Sequence, residues 1–188
     1  MEINQLLDAL HIAERLKDTT RHCYTSKGRH ESVAEHSWRI TLMAYFMKDE
    51  FPDVDIDKVI RMCIIHDLGE AFTGDIPAFN KSEADTKKED ELLFAWVKTL
   101  PELYCEEMLA LYEEMNALET QEAKLYKAMD SLEAVIQHNE SDISTWTKDE
   151  REFNLVYAFD KVAFSPYLTK LREVMKEESL AKLRNEKK

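Results

Sequence analysis

The stretch Val59-Ile60-Arg61-Met62-Cys63-Ile64-Ile65-His66-Asp67-Leu68-Gly69-Glu70-Ala71-Phe72-Thr73-Gly74-Asp75-Ile76-Pro77 begins as an apolar helical run and ends among acids. Val59, Met62, Cys63 and His66 stand at i, i+3, i+4 and i+7, so they share one face of a helix. That face is expected to be buried, and it delivers His66 to the helix end from the inside, with Asp67 beside it. Gly69 reads as a stop, and Gly74 and Pro77 keep the following segment non-helical, with Glu70 and Asp75 projecting from it. One buried imidazole is more often a satisfied core residue than a ligand. An imidazole and three carboxylates within ten residues are costly together unless a positive charge sits among them. A divalent metal is the simplest such charge.

The rest of the chain sets the bounds. Its 188 residues are enough for a sizeable core, and only three Gly and four Pro interrupt long helical periodicities, so an all-α bundle of one domain over 1–188 is expected. The 25 basic and 38 acidic residues give a formal net charge of −13, which argues against duplex nucleic acid and against an anionic membrane surface. Cys23, Cys63 and Cys105 are scattered and odd in number, which disfavours a disulfide framework and fits a reducing cytoplasm. No apolar run is long enough to span a bilayer, and the N-terminus shows no leader pattern.

In chain order, residues 2–17 read as a first helix with Ile3, Leu6, Leu7, Leu10, Ala13 and Leu16 as its stripe, and 18–31 as a polar, basic loop. Ser32-x-x-Glu35 is a capping box that starts helix two at Val33, with Val33, His36, Ile40, Met43 and Met47 inward and Trp38 and Phe46 nearby. Asp55 caps helix three, over 56–67; the Asp53–Asp57 run is not a calcium loop, since its sixth and twelfth positions are Lys58 and Ile64. Helix four covers 83–99 with Leu92, Leu93, Trp96 and Val97 inside. Pro101 opens helix five, and helix six covers 118–138 on a stripe of Leu118, Leu125, Met129, Leu132 and Ile136. Thr147-x-x-Glu150 caps helix seven. A last helix follows Pro166 into a charged tail, and the stripe Phe159, Val162, Phe164, Leu168, Leu171 and Val174 serves as core or interface.

The inward ligand types are then His36 on helix two, His66 and Asp67 ending helix three, and Asp130 on helix six. Two imidazoles and two carboxylates suit Mn, Co, Fe, Ni or Zn, and facing helices of a bundle are a natural host. His11, His22, His30 and His138 lack this company, and His138 reads as a surface residue.

His36, His66-Asp67 and Asp130 follow the H…HD…D order, and on this signature the chain resembles the HD-domain metal-dependent phosphohydrolases. Glu31-x-Val33-x-Glu35-His36-Ser37, His66-Asp67-x-x-Glu70-x-x-x-Gly74-Asp75-Ile76-Pro77 and Lys127-x-x-Asp130 are similar to the motifs of the 5′-deoxynucleotidase branch. The resemblance covers residues 15–140, with the helices of 147–184 packing on that region. It implies a metal held by His36, His66, Asp67 and Asp130, a water-positioning or proton-passing role for Glu70, a sugar contact for Asp75 and a phosphate contact for Arg21. Where enzymes favouring deoxyribose carry Trp after that Arg, this chain carries His22, which opens the sugar preference. It also implies a homodimer or other homo-oligomer in the cytoplasm.

The expected activity is release of phosphate from nucleoside 5′-monophosphates. Two alternatives stay open: a pyrophosphohydrolase or phosphodiesterase on a larger nucleotide, and a non-catalytic metal- and nucleotide-binding protein. Retention of Glu70 favours an enzyme over the last.

Overall fold

The computed structural model describes residues 1–77 and 80–186. Its helices are α1 (Ile3–Glu14), α2 (Val33–Phe46), α3 (Ile56–Ile65), α4 (Glu70–Thr73), α5 (Glu83–Val97), α6 (Glu102–Ala117), α7 (Gln121–Glu140), α8 (Lys148–Val156), α9 (Phe159–Val162) and α10 (Pro166–Glu186). Lys187 and Lys188 of the charged tail lie outside the described residues. Two short strands, β1 (Thr20–Tyr24) and β2 (His30–Ser32), pair antiparallel with Thr20 opposite Ser32 and Tyr24 opposite His30.

The capping signals hold. Ser32 Oγ accepts from Glu35 N at 3.3 Å while Glu35 Oε2 accepts from Ser32 N at 2.9 Å, closing both halves of the box. Asp55 Oδ1 accepts from Lys58 N at 3.0 Å, and the Thr147–Glu150 box is present at α8. The inward faces of α2 and α3 also hold: Val33, His36, Ile40, Val59, Met62 and Cys63 are all fully buried.

α7 is the axis of the molecule. It packs against α2, α3, α6, α9 and α10 and against β1. Leu125, Ala128, Met129, Leu132 and Val135 on it are fully buried. Each buried Leu, Met or Val of this set contributes roughly 1.5–3 kcal/mol of transfer free energy. Arg172 of α10, itself buried, donates from Nε to Tyr157 O at 2.8 Å and from Nη2 to Asn154 O at 2.6 Å. It thereby satisfies carbonyls at the end of α8, as a basic side chain does at a helix C-terminus.

Several expectations are corrected. The segment 18–31 is a hairpin rather than a loop. Its inward residues are Arg21 and Cys23, so the period of two is visible in burial but not in hydrophobicity. The first helix ends at Glu14, followed by a 3₁₀ turn over Arg15–Lys17, and its stripe is not core: Ile3 is 77 % exposed, Leu6, Leu7 and Leu10 are also exposed, and only Leu16 beyond the helix is buried. Trp38 and Phe46 on α2 and Leu92 on α5 also face outward, as does Val174 in the C-terminal stripe, of which Val162 and Leu168 are core. Leu118 is not helical; it adopts φ 53° between α6 and α7, and Thr120 caps α7 by accepting from Ala123 N at 3.1 Å.

Gly69 does not stop a helix. Its backbone is helical, and a Cβ there would stand 2.7 Å from Glu89 Cγ, so the glycine permits close approach of α5. The segment after it is not wholly non-helical either, because Glu70 opens the short helix α4. That helix ends at Gly74, whose φ of 79° lies where side chains are disfavoured.

Candidate active site

Three elements converge at one end of the α2–α3–α7 packing. α2 contributes His36 from its first turn, the turn after α3 contributes His66 and Asp67, and α7 contributes Asp130. His66 Nε2 lies 3.3 Å from His36 Nε2 and 2.9 Å from Asp67 Oδ2. His36 Nε2 lies 3.2 Å from Asp130 Oδ1 and 3.8 Å from Asp67 Oδ2, and His66 Nε2 lies 3.8 Å from Asp130 Oδ1. The four residues expected to act together are therefore together.

The tautomers follow from the other ring nitrogens. His66 Nδ1 donates to the Cys63 carbonyl at 2.9 Å, and His36 Nδ1 donates to Glu133 Oε2 at 2.5 Å. Each ring then turns its Nε2 toward carboxylate oxygens. An imidazole nitrogen set among carboxylates calls for a positive charge between them, and the donor set of two imidazoles and two carboxylates suits a divalent transition metal.

The electrostatics point the same way. Burial and Arg21 both oppose a charge on His36, yet Glu133 and Asp130 raise its imidazole to about 9. Burial opposes ionisation of Asp67 and Asp130 too, but His66 holds Asp67 down at about 2, and Lys127, then His36, hold Asp130 well below the usual carboxylate range. The site attracts positive charge strongly enough to reverse the effect of burial.

Asp67 and Asp130 open onto a cavity that also exposes Arg21, His22, Glu70, Asp75, Lys81 and Lys127. Of the residues expected at the site, all but His36 and His66 line it, and those two rings are in contact with Asp67 and Asp130, which do. Lys127 Nζ donates to Asp130 Oδ2 at 2.7 Å. Arg21 is buried, with Nε 3.6 Å from Glu31 Oε2; burial disfavours its charge, but Glu133, Cys23, Asp67 and Glu31 more than restore it. Burial, then Asp67, Asp75 and Glu89, push the Glu70 carboxyl up to about 10. Burial also raises Asp75, against Arg21 and His22. Ile76, Pro77, Ala134, Phe153 and Tyr157 give the cavity an apolar side, on which Phe153 and Tyr157 stack at 4.5 Å.

Two residues of the site escaped the sequence reading. Glu133 is wholly buried behind His36 and also meets Arg39 Nε at 3.6 Å. His138 is not a surface residue: it is 6 % exposed and lines the cavity with His22 and Glu150. A signal was available for it. Lys127, Asp130, Ala134 and His138 are spaced i, i+3, i+7 and i+11, one face of α7, and all four line the cavity. His11 and His30 line no part of it among the described residues.

The HD domain family matches this chain over residues 13–172. The chain belongs to the HD-domain family. Human 5′-deoxynucleotidase HDDC2 is 33 % identical to this HD-domain protein over 139 residues, covering 72 % of this chain and 67 % of the human one. The 5′-deoxynucleotidase hdd1 of Schizosaccharomyces pombe is 26 % identical over 163 residues, 78 % of this chain and 80 % of that one. A predicted metal-dependent phosphohydrolase from Magnetospirillum magnetotacticum MS-1 superposes with a TM-score of 0.79 at 26 % identity, covering 95 % of this chain and 92 % of that one. The all-α HD-type bundle expected from the sequence is thus the fold observed. No helix among the described residues is long and apolar enough to cross a membrane.

Proposed function

We propose that this HD-domain protein is a divalent-metal-dependent phosphohydrolase that cleaves nucleoside 5′-monophosphates, deoxyribonucleotides included, to nucleoside and inorganic phosphate. The observation that carries this reading is the convergence of two imidazole Nε2 atoms and two carboxylate oxygens beside a cavity supplied with Arg21 and Lys127. The relatives named 5′-deoxynucleotidase support the substrate class.

In this reading His36 Nε2, His66 Nε2, Asp67 Oδ2 and Asp130 Oδ1 hold the metal, one of Mn, Co, Fe, Ni or Zn. When bound, it supplies Lewis acidity at a phosphate oxygen and acidifies water. Arg21 takes phosphate oxygens through its planar fork, fixed by Glu31. Lys127 adds a second positive group while keeping Asp130 ionised. Glu70, a buried acid that lines the cavity beside Asp67, gives a proton to the departing 5′ oxygen and is reprotonated from solvent. Asp75 and His22 face the sugar, and the apolar side with Phe153 and Tyr157 faces the base.

The whole chain forms one domain in this reading, because α8 walls the cavity that α3 and α7 floor, and Arg172 of α10 fixes α8. It also self-associates: Leu6, Leu7 and Leu10 on α1 and Trp38, Tyr45 and Phe46 on α2 leave apolar surface for a second copy. Sedimentation of the wild type and of Leu7→Asp tests that part.

The test of function is phosphate release from ribo- and deoxyribonucleoside 5′-monophosphates after metal stripping and separate addition of Mn, Co, Mg and Zn. Metal-dependent release of inorganic phosphate is expected. Pyrophosphate or a nucleotide as the product from larger substrates, with monophosphates inert, would overturn it.

A further inference from the structure

A second cluster of ligand atoms lies along α7 from Asp130, and the proposed hydrolysis does not use it as such. His22 and Cys23 from β1 and His138 from α7 bring three ligand atoms together, and Glu150 from α8 lies beside the two rings. Cys23 Sγ stands 3.3 Å from His138 Nε2 and 3.7 Å from His22 Nε2, and the two Nε2 atoms are 3.4 Å apart. Glu150 Oε1 lies 3.6 Å from His22 Nε2 and 4.0 Å from His138 Nε2.

We propose that His22, Cys23 and His138, with Glu150 as fourth ligand, form a second binding site for a divalent transition metal of the zinc type.

The three distances among Cys23 Sγ and the two Nε2 atoms are close to a tetrahedron's edges, and Glu150 Oε1 stands somewhat farther out beside the two rings. Zn–N bonds of about 2.0–2.1 Å and a Zn–S bond of about 2.3 Å set N···N edges near 3.4 Å and S···N edges near 3.5 Å. Hydrogen bonding alone accounts poorly for the cluster. A neutral imidazole Nε2 carries one hydrogen or one lone pair, whereas each Nε2 here faces a sulfur, another ring nitrogen and a carboxylate oxygen. One ion among Cys23 Sγ and the two Nε2 atoms satisfies all three, and a small inward move of Glu150 Oε1 completes the set.

The surroundings suit such an ion. Glu150 uses its other oxygen, Oε2, to accept from Thr147 N at 2.6 Å, so the capping box that starts α8 orients Oε1. The His138 ring is set edge-on against Trp146 at 5.7 Å, and Trp146 Nε1 donates to His138 O at 3.0 Å. Burial holds the His138 imidazole down at about 4, against Glu150, and lowers His22 as well, so both rings carry lone pairs at neutral pH. Burial pushes the Cys23 thiol up, and metal binding therefore releases its proton to solvent as the metal–sulfur bond forms. The ion ties β1, α7 and α8 together on the side of the cavity away from Asp67. Its existence does not depend on which phosphate ester the cavity accepts.

Cobalt distinguishes the two centres, because only this one offers a thiolate. Titration of the metal-stripped full-length wild type with Co(II) is expected to show about two equivalents bound and a near-ultraviolet sulfur-to-cobalt charge-transfer band. Cys23→Ser removes the band and about one equivalent. His66→Ala also loses about one equivalent but keeps the band. Circular dichroism checks that each variant folds, and His138→Gln serves where Cys23→Ser does not. Binding of one equivalent without the band by the wild type would overturn the proposal, as would a band that survives Cys23→Ser and vanishes in Cys63→Ser.

Discussion

His36 and His138, one imidazole from each of the two pairs that α7 gathers, respond to burial in opposite ways. At the Asp130 end, His36 is raised to about 9, because Glu133 and Asp130 outweigh both burial and Arg21. At the other end His138 falls to about 4, because burial, with His22 and Arg21 nearby, outweighs Glu150 and the more distant Glu133. The rings are the same and both are buried. What differs is how many carboxylates come close: three lie within 3.8 Å of His36, whereas Glu150 approaches His138 only to 4.0 Å. The first pair sits in a site that needs positive charge; the second offers neutral ligands beside a thiol.

The largest effect expected from breaking the first site is on catalysis. His66→Ala or Asp67→Ala should cut kcat/KM for a nucleoside 5′-monophosphate by about 10³-fold or more, since Lewis-acid stabilisation is worth several kcal/mol. Far-UV circular dichroism should still show a helical protein. Wild-type activity in either variant with metal present would remove the first site from the mechanism.

Glu70→Gln should lower kcat by about 10²-fold, the scale of a lost proton donor. It should also raise the stability of the metal-free protein at neutral pH by roughly 1–3 kcal/mol. The sign follows from proton uptake. The folded carboxyl sits at about 10 against an ordinary 4.5, so the folded state keeps a proton that the unfolded chain releases. Its contribution to stability is full below pH 4.5 and is lost as pH rises toward 10. Denaturation of wild type and variant at several pH values should show the gap widening with pH; a constant gap would refute the shift.

Glu133→Gln removes the carboxylate behind His36 without touching the cavity. Metal affinity should fall by roughly 10–100-fold, the usual cost of losing such an outer partner. Activity at saturating metal should change far less than in His66→Ala. Equal losses at all metal concentrations would mean that Glu133 does more than orient the ring.

The smallest expected effect is on specificity. His22→Trp should shift the ratio of deoxyribo- to ribonucleotide kcat/KM by about 10-fold toward deoxyribose, within the range that one pocket contact supplies. The same change removes a ligand of the second cluster, so the sulfur-to-cobalt band should weaken with it. An unchanged sugar ratio would place His22 in metal binding alone.

The helices and the four convergent residues were legible because helical periodicity and capping chemistry are local. Val59, Met62, Cys63 and His66 share a face whatever surrounds them, and Ser32, Asp55 and Thr147 each find their backbone partner three residues on. The hairpin was not legible, because its inward positions are Arg21 and Cys23, whose burial is justified only by acids and imidazoles from other elements. The α1 stripe misled in the opposite direction: an amphipathic pattern says that a helix has an apolar face, not that this chain covers it. Gly69 looked like a helix stop, and its role in admitting Glu89 needs the position of α5.

By itself, then, the sequence determined an all-α chain and the order His36, His66-Asp67, Asp130, because both are written in spacings of a few residues. Only the tertiary structure decided that Glu133 backs His36 from 97 positions away. It alone brought His22 and His138, 116 positions apart, within 3.4 Å. Such contacts depend on where three packed elements cross. No local periodicity encodes that crossing; the packing of α2, α3 and β1 around α7, with α8 held against α10, does.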